Sequence, residues 1–331
     1  MVYAGRPDCY IAGHLFAFGV LFMSVPAAHL SVLLDETIDA VLGGRTSGVF
    51  VDATFGRGGH TRALLARLDA DSRVYAFDKD PQAQAEGARL MAEDPRLIMI
   101  HDSFATLAEQ LQQQGVPLVD GVMADLGVSS PQLDESERGF SFMHNGPLDM
   151  RMDNSRGITA ADWIEQTEET DLADVLFQYG EERYSRRIAK AIKLAGRIET
   201  TAELAEIIKV AHPKWEKHKH AATRSFQAIR IAVNRELDDL KDFLPQSVLV
   251  LKTDCRLAVI SFHSLEDRIV KQFIQQEANG PEQDDGWLRP NDQRQKTLKK
   301  IARIAPSAAE VQDNPRARSA WLRVAERRER A

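Results

Sequence analysis

Residues 51–68 read VDATFGRGGHTRALLARL. An apolar run ends in a cluster of three glycines, Gly56, Gly58 and Gly59, and a helix follows with Leu64, Leu65 and Leu68 on one side. Glycine lets the backbone pass close to a ligand, and the start of a helix offers unpaired N–H groups. Twenty residues after Gly58, Asp78 closes a second apolar run, RVYAFD (73–78). An acid there can accept hydrogen bonds from both hydroxyls of a ribose. The pairing of turn and acid fits a nicotinamide dinucleotide and S-adenosylmethionine alike.

Two details separate these ligands. A dinucleotide fingerprint requires a third glycine where Thr61 stands. The stretch also opens on Asp52, whose carboxylate would repel a pyrophosphate and suits a ligand carrying a sulfonium and an ammonium. The simpler reading of Asp52 is that it caps the turn.

Outward from this stretch, strands and helices alternate. GVFVDAT (48–54), RVYAFD (73–78), RLIMIHDS (96–103) and VDGVMADLG (119–127) read as strands, with helices between them, one opened by Pro81 and one closed by Gly115. That rhythm predicts a Rossmann-like, doubly wound parallel sheet. It stops near residue 130. Helical stretches capped at Thr159 and Thr170 follow, and the strand pattern resumes only at CRLAVISFHS (255–264), with a last strand at 319–327 and a polar loop at 279–297. The expected organisation is an α/β domain over 29–132 and 241–331, interrupted by a helical insertion over 133–240 for substrate recognition.

The net charge of −7 argues mildly against a nucleic-acid partner, but it is unevenly spread. Residues 134–182 carry thirteen acidic and three basic side chains, whereas residues 183–224 carry eleven basic and four acidic, enough to expect a phosphate-binding surface. Two cysteines, Cys9 and Cys255, are too few for a disulfide framework, which fits a reducing cytoplasm. Residues 1–28 form an N-terminal extension whose apolar run is too short and interrupted to span a membrane. A signal peptide is one reading of it; a translation start at Met23 is the favoured one.

In order along the chain, HLSVLLDE, DATFGRGGHTR, DKDPQA, ADLGVSSPQLDESERGFSFM, GPLDMRMD, YGEERYSRRIAKAI, HAATRSFQAIRIAVNRELDDL, ISFHSLEDRIVK and NPRARSAWLRVAER cover nearly everything from His29 onward. In these stretches the chain resembles the bacterial ribosomal RNA small subunit methyltransferase H family, which methylates N4 of a cytidine in 16S rRNA near the decoding centre. The resemblance implies a class I S-adenosylmethionine-dependent methyltransferase fold, S-adenosylmethionine as donor, and small-subunit rRNA as partner, within the small ribosomal subunit. No membrane partner is expected, and the oligomeric state stays open, a homodimer included. One departure is local. The family has a Gly-Gly turn before the fifth strand where this chain has Asp254 and Cys255.

The resemblance assigns Gly58, Gly59 and His60 to the methionine end of the donor, Asp78 to the ribose and Phe104 to the adenine, with Asp125 and Gln132 facing the donor and acceptor sides. An aryl amine is a poor nucleophile, and the sulfonium methyl is already activated, so the enzyme need only align the two and accept a hydrogen bond from the amine. Asp125, at the end of the fourth strand, is the expected acceptor, and no metal is expected. Within SFHSLEDR (261–268), His263 is a candidate for positioning substrate, and Ser264 with Asp267 reads as a helix cap. Ser129, Arg187, Lys190, Arg316 and Arg318 complete the expected RNA contacts, alongside Arg183, Arg186, Lys193, Arg197, Lys214, Lys217, His218, Lys219, His220 and Arg224. A nicotinamide-dependent oxidoreductase and a non-enzymatic ribosome-assembly factor are the competing readings.

Overall fold

A computed structural model describes residues 31–213, 220–280 and 296–329. The leading segment, Lys214, Lys217, His218, Lys219 and most of the expected loop 279–297 lie outside the described residues.

Seven strands form one sheet: β1 (Val49–Asp52), β2 (Arg73–Phe77), β3 (Leu97–Ile100), β4 (Val119–Asp125), β5 (Leu251–Ser261), β6 (Leu298–Ile304) and β7 (Trp321–Arg327), in the order β3-β2-β1-β4-β5-β7-β6. The first five run parallel. β7 lies antiparallel between β5 and β6, so the sheet is mixed. This is the Rossmann-like fold of class I methyltransferases.

The central strands are apolar on both faces because both faces are covered. Alternate residues feed two cores. Phe50, Val74, Ala76, Met123 and Ile260 pack on one side with Leu64 and Leu90 of the helices Gly59–Arg67 and Pro81–Glu93. Val51, Phe77, Val122 and Val259 pack on the other with Leu111, Phe243 and Val270. The period of two that marked these runs in the sequence is this division between faces.

A third core joins the helices Ala160–Gln166, Glu169–Gly180, Ser185–Ala195, Thr201–Ala211 and Ala222–Asn234 through Ile164, Leu172, Leu176, Ile188, Ile192, Leu204, Ile208 and Ile229. The next helix, Glu236–Val250, packs Leu240, Phe243, Leu244 and Val248 with the sheet, so the boundary expected at residue 240 falls inside one helix. Asn234 closes the insertion on its own loop, and Lys79, just after β2, donates to its backbone carbonyl at 2.9 Å. The Asn234 side chain accepts from Met152 N–H at 2.7 Å and donates to Met150 O at 2.7 Å.

Several local expectations are corrected. Glu168, and not Thr170, precedes the second helix of the insertion, whereas Thr159 does cap the first. The helix Ser264–Asn279 is preceded by His263, with Glu266 at its third position, so the cap lies one residue before the expected Ser264–Asp267 pair. Strand β6 was not foreseen. Lys299 and Lys300 are exposed on this sheet edge, and a register shift between Lys300 and Ala302 breaks the alternation that marks a strand. β5 starts at Leu251, four residues earlier than expected, because its exposed Lys252, Thr253 and Asp254 pass through an irregularity opposite Val119–Gly121. Asp254 sits there at φ +59°, a left-handed conformation that explains why glycine suits this turn.

Candidate active site

The carboxyl ends of β1, β2, β4 and β5 open into a cavity of about 510 Å³, the place where open parallel sheets hold their ligands. Gly56, Arg57, Gly59, His60, Asp78, Phe104, Asp125, Ser129 and Gln132 line it, together with Met152, Gln227, Arg230, Glu236, His263, Glu266, Arg316 and Arg318.

The glycine turn is held by the acid it was paired with. Asp78 Oδ2 accepts from Gly56 N–H at 2.8 Å and Oδ1 accepts from Asp80 N–H at 2.8 Å. Each carboxylate oxygen keeps a second lone pair for a ligand. Burial pushes the Asp78 carboxyl up to about 6, against the two N–H bonds that stabilise its charge. Gly56, at φ +56°, has open space where a side chain would begin. Gly58 supplies the left-handed turn at the helix start, but it is backed by the Phe55 ring and does not line the cavity; Gly56 takes the place expected for it.

Asp52 is buried behind the turn, not in the cavity wall. It accepts from Thr54 N–H at 3.1 Å and from the Thr61 hydroxyl at 2.6 Å, so it braces the turn as the simpler reading held. The residue that breaks the dinucleotide fingerprint, Thr61, is its partner.

Asp125 ends β4, and Thr54 Oγ1 accepts its backbone N–H at 2.6 Å. Its Oδ2 lies 3.6 Å from His60 Nδ1, while His60 Nε2 donates to Val32 O at 3.1 Å. Its Oδ1 is buried and has no hydrogen-bond partner among the described residues. Burial, aided by the Asp52 and Glu266 charges and opposed by His60, pushes this carboxyl up to about 6.

Gln132 is committed at both ends. Its Oε1 accepts from Ser129 N–H at 2.9 Å and its Nε2 donates to Asp80 Oδ2 at 2.8 Å, where Arg138 Nη1 also donates at 2.8 Å. Asp80, at the start of the helix Pro81–Glu93, therefore collects the loop after β4 and the buried Arg138 onto one carboxylate. Sequence reasoning missed this network; the DKDP motif was its only signal. Phe104 packs edge-to-face on Phe243, with ring centres 5.2 Å apart, and one side of it lines the cavity.

A charged cluster from the insertion and the segment after β5 completes the lining. Arg230 Nε and Nη2 donate to the two oxygens of Glu236, each at 2.8 Å. His263 Nε2 stands 3.0 Å from Glu266 Oε1, and Glu266 Oε2 accepts Phe262 N–H at 2.9 Å. Glu266 is fully buried, yet the imidazole, the N–H group and Arg230 hold its carboxyl below the usual range. Glu236, His263 and Glu266 have ligand atoms close enough to share a cation, but the Arg230 guanidinium already serves Glu236. Asp267, adjacent in sequence, turns away to pair with Arg323 at 2.6 and 2.9 Å.

The expected basic residues divide. Lys193 donates to Ile164, Glu165 and Thr167 carbonyls, and Arg197 pairs with Asp162, Glu165 and Glu199, so both hold the insertion together. His220 stacks on Phe142. Arg183, Arg186, Arg187 and Lys190 are exposed, and no ion pair among the described residues engages their side chains. Arg316 donates to Ser130 Oγ and, at 2.7 Å, to Asp134 Oδ1, which ties the end of the chain to the loop after β4.

A family model described as the MraW methylase family matches residues 26–328. The chain belongs to that family. Proteins named ribosomal RNA small subunit methyltransferase H are close relatives. One from Acinetobacter baumannii is 65% identical over 303 residues, covering 91% of this chain and 98% of the relative. One from Acinetobacter baylyi is 64% identical over 301 residues, covering 91% and 99%. One from a Psychrobacter species is 54% identical over 308 residues, covering 91% of each. In this methylase the glycine turn, Asp78 and Asp125 lie on one continuous cavity wall, and no described helix is long and apolar enough to cross a membrane.

Proposed function

We propose that this methylase transfers a methyl group from S-adenosylmethionine to the exocyclic N4 amine of one cytidine in small-subunit rRNA. The observation that carries the reading is the buried, unpartnered Oδ1 of Asp125 in the wall that also holds the glycine turn. A donor of this kind supplies an activated, cationic methyl group. The residues present fit it. Open space beside Gly56 receives its chain, the remaining lone pairs of Asp78 accept ribose hydroxyls, and the exposed side of Phe104 meets an adenine. Asp78 and Asp125 give the cavity the negative charge a sulfonium and an ammonium require.

Asp125 Oδ1 then accepts a hydrogen bond from the acceptor amine. With the donor bound, the amine lone pair would take the methyl carbon as its bond to sulfur breaks, leaving the nitrogen cationic until it sheds a proton to solvent, so this contact would strengthen in the transition state. His60 and Thr54 hold the Asp125 carboxylate and backbone in place, which limits reorganisation during the step. Among the described residues no hydride-transfer constellation accompanies the turn, and Thr61 fills the position of the third fingerprint glycine. The names of the relatives support small-subunit rRNA as substrate, and the exposed Arg187 and Lys190 supply cations for its phosphates.

Calorimetric titration tests the donor site. Wild-type protein binds S-adenosylmethionine and not NAD. Asp78→Ala weakens the former about tenfold or more, the loss of charge-assisted bonds worth roughly 1.5–3 kcal/mol. Unchanged affinity in the variant contradicts the assignment.

A further inference from the structure

The cavity that Asp125 lines also holds an arginine whose geometry is fixed before any substrate arrives. Arg230 lies on the helix Ala222–Asn234, its side chain only 13% exposed, and its Nε and Nη2 are locked on Glu236. No hydrogen bond among the described residues takes Nη1, and the residue lines the cavity. Arg230, Asp125 and Glu266 all line this one cavity. The strand register agrees. Asp125 pairs with Ile260, and β5 runs on into His263 and the Glu266 helix.

Cytosine presents three groups on its pairing edge: the N4 amine as donor, then N3 and O2 as adjacent acceptors. A carboxylate oxygen without a partner and a preset guanidinium in one cavity are the complement of that edge. Uracil would set an N–H at position 3 against the guanidinium and a carbonyl against the carboxylate, two mismatches at once. A base can reach this depth only by leaving its stack.

We infer that Arg230 is a specificity residue, donating through Nη1 to the N3 and O2 side of the target cytosine while Asp125 takes its amine. This rests on the cytidine-N4 reading and extends it. Glu236 is a positioning residue that holds the guanidinium at the required angle.

The test is a chemical double-mutant cycle. Small-subunit rRNA carrying cytidine or 3-deazacytidine at the methylated position is offered to wild type and to R230K, and kcat/KM for RNA is measured at saturating donor. Losing the N3 acceptor should cost wild type about ten- to a hundredfold, the range for one good base contact. R230K should be slow on cytidine and lose little more on the deaza substrate, with donor affinity unchanged by calorimetry. If R230K does not fold, R230M/E236Q removes both buried charges together and should show the same indifference. An equal loss in wild type and variant overturns the inference while leaving the methylation reading intact. A wild-type protein that methylates no cytidine amine overturns both.

Discussion

Two parts of the cavity lining are built by different means. At the glycine turn the key side chains are fixed through backbone groups at the strand ends. Gly56 and Asp80 present N–H groups to Asp78, and Thr54 holds the Asp125 backbone, so their geometry follows from the strand ends. The charged part of the lining is made of long side chains that fix one another, Arg230 with Glu236 where two helices join and His263 with Glu266 after β5. A lining fixed through backbone suits a ligand that is the same in every turnover, such as a methyl donor. A lining of paired charges suits discrimination, because a mismatched partner leaves a buried charge unpaired.

The largest effect that can break this division lies at Asp125. Asp125→Asn keeps the shape and an acceptor oxygen but removes the charge. Single-turnover methylation at saturating donor and RNA should slow by roughly 10²–10³-fold. In wild type the same rate should fall as the pH drops through about 6, where this carboxyl gains its proton. A near wild-type rate in the variant would leave Asp125 a donor-binding role alone.

A smaller effect is expected outside the cavity. Reversing the charge of Arg187 and Lys190 should raise the Michaelis constant for RNA and lower the slope of log affinity against log salt by about one to two, with donor affinity untouched. If RNA binding is unchanged, these cations are only a solvated face of the helix Ser185–Ala195.

The Asp125 carboxyl, with one oxygen unpartnered, also has a thermodynamic signature. Its pKa is raised in the folded state, so the native protein holds more protons than the unfolded chain between about 4 and 6. Stability therefore falls as the pH rises through that window, and the full cost of the buried charge is present above it. The side chain is 28% exposed, which discounts the effect. Asp125→Asn should stabilise the ligand-free protein by about 1–2 kcal/mol at pH 7.5 and by nothing near pH 3.5. Denaturant unfolding at both values separates this from a loss of packing, which would destabilise at both.

The smallest effect tests the fold alone. Asp254 adopts φ +59° in the irregular start of β5, and Asp254→Gly should stabilise by about 0.5–1 kcal/mol with no change in catalysis. A destabilised variant would show that the Asp254 side chain contributes more than the strain it carries.

Much of the cavity lining at the glycine turn was legible in the sequence because it follows from strand ends. Parallel strands covered on both faces read as apolar runs, and Asp78 just after β2 and Asp125 at the end of β4 fall at the carboxyl edge by construction. Gly58 was misplaced because spacing alone does not say which glycine of a cluster faces outward; the Phe55 ring behind it decides. The charged part was largely hidden. Arg230 and Glu236 are six residues apart, beyond the reach of helical spacing within one helix, and they meet only because Arg235 takes a left-handed conformation at φ +53° between two helices. Lys193 and Arg197 illustrate the reverse error, since charge counting marks cations without showing which are already paired at home. Strand β6 escaped because an edge strand with exposed lysines and a bulge loses the alternation that identifies strands.

The most direct measurement is the position of the transferred methyl group. Small-subunit rRNA lacking the modification is incubated with purified protein and isotope-labelled S-adenosylmethionine, digested to nucleosides and analysed by mass spectrometry, with Asp125→Asn alongside. The expected product is N4-methylcytidine at one position, formed by wild type and barely by the variant. Label on ring carbon, on ribose, on another base or on no nucleoside at all would contradict the assignment of this cavity.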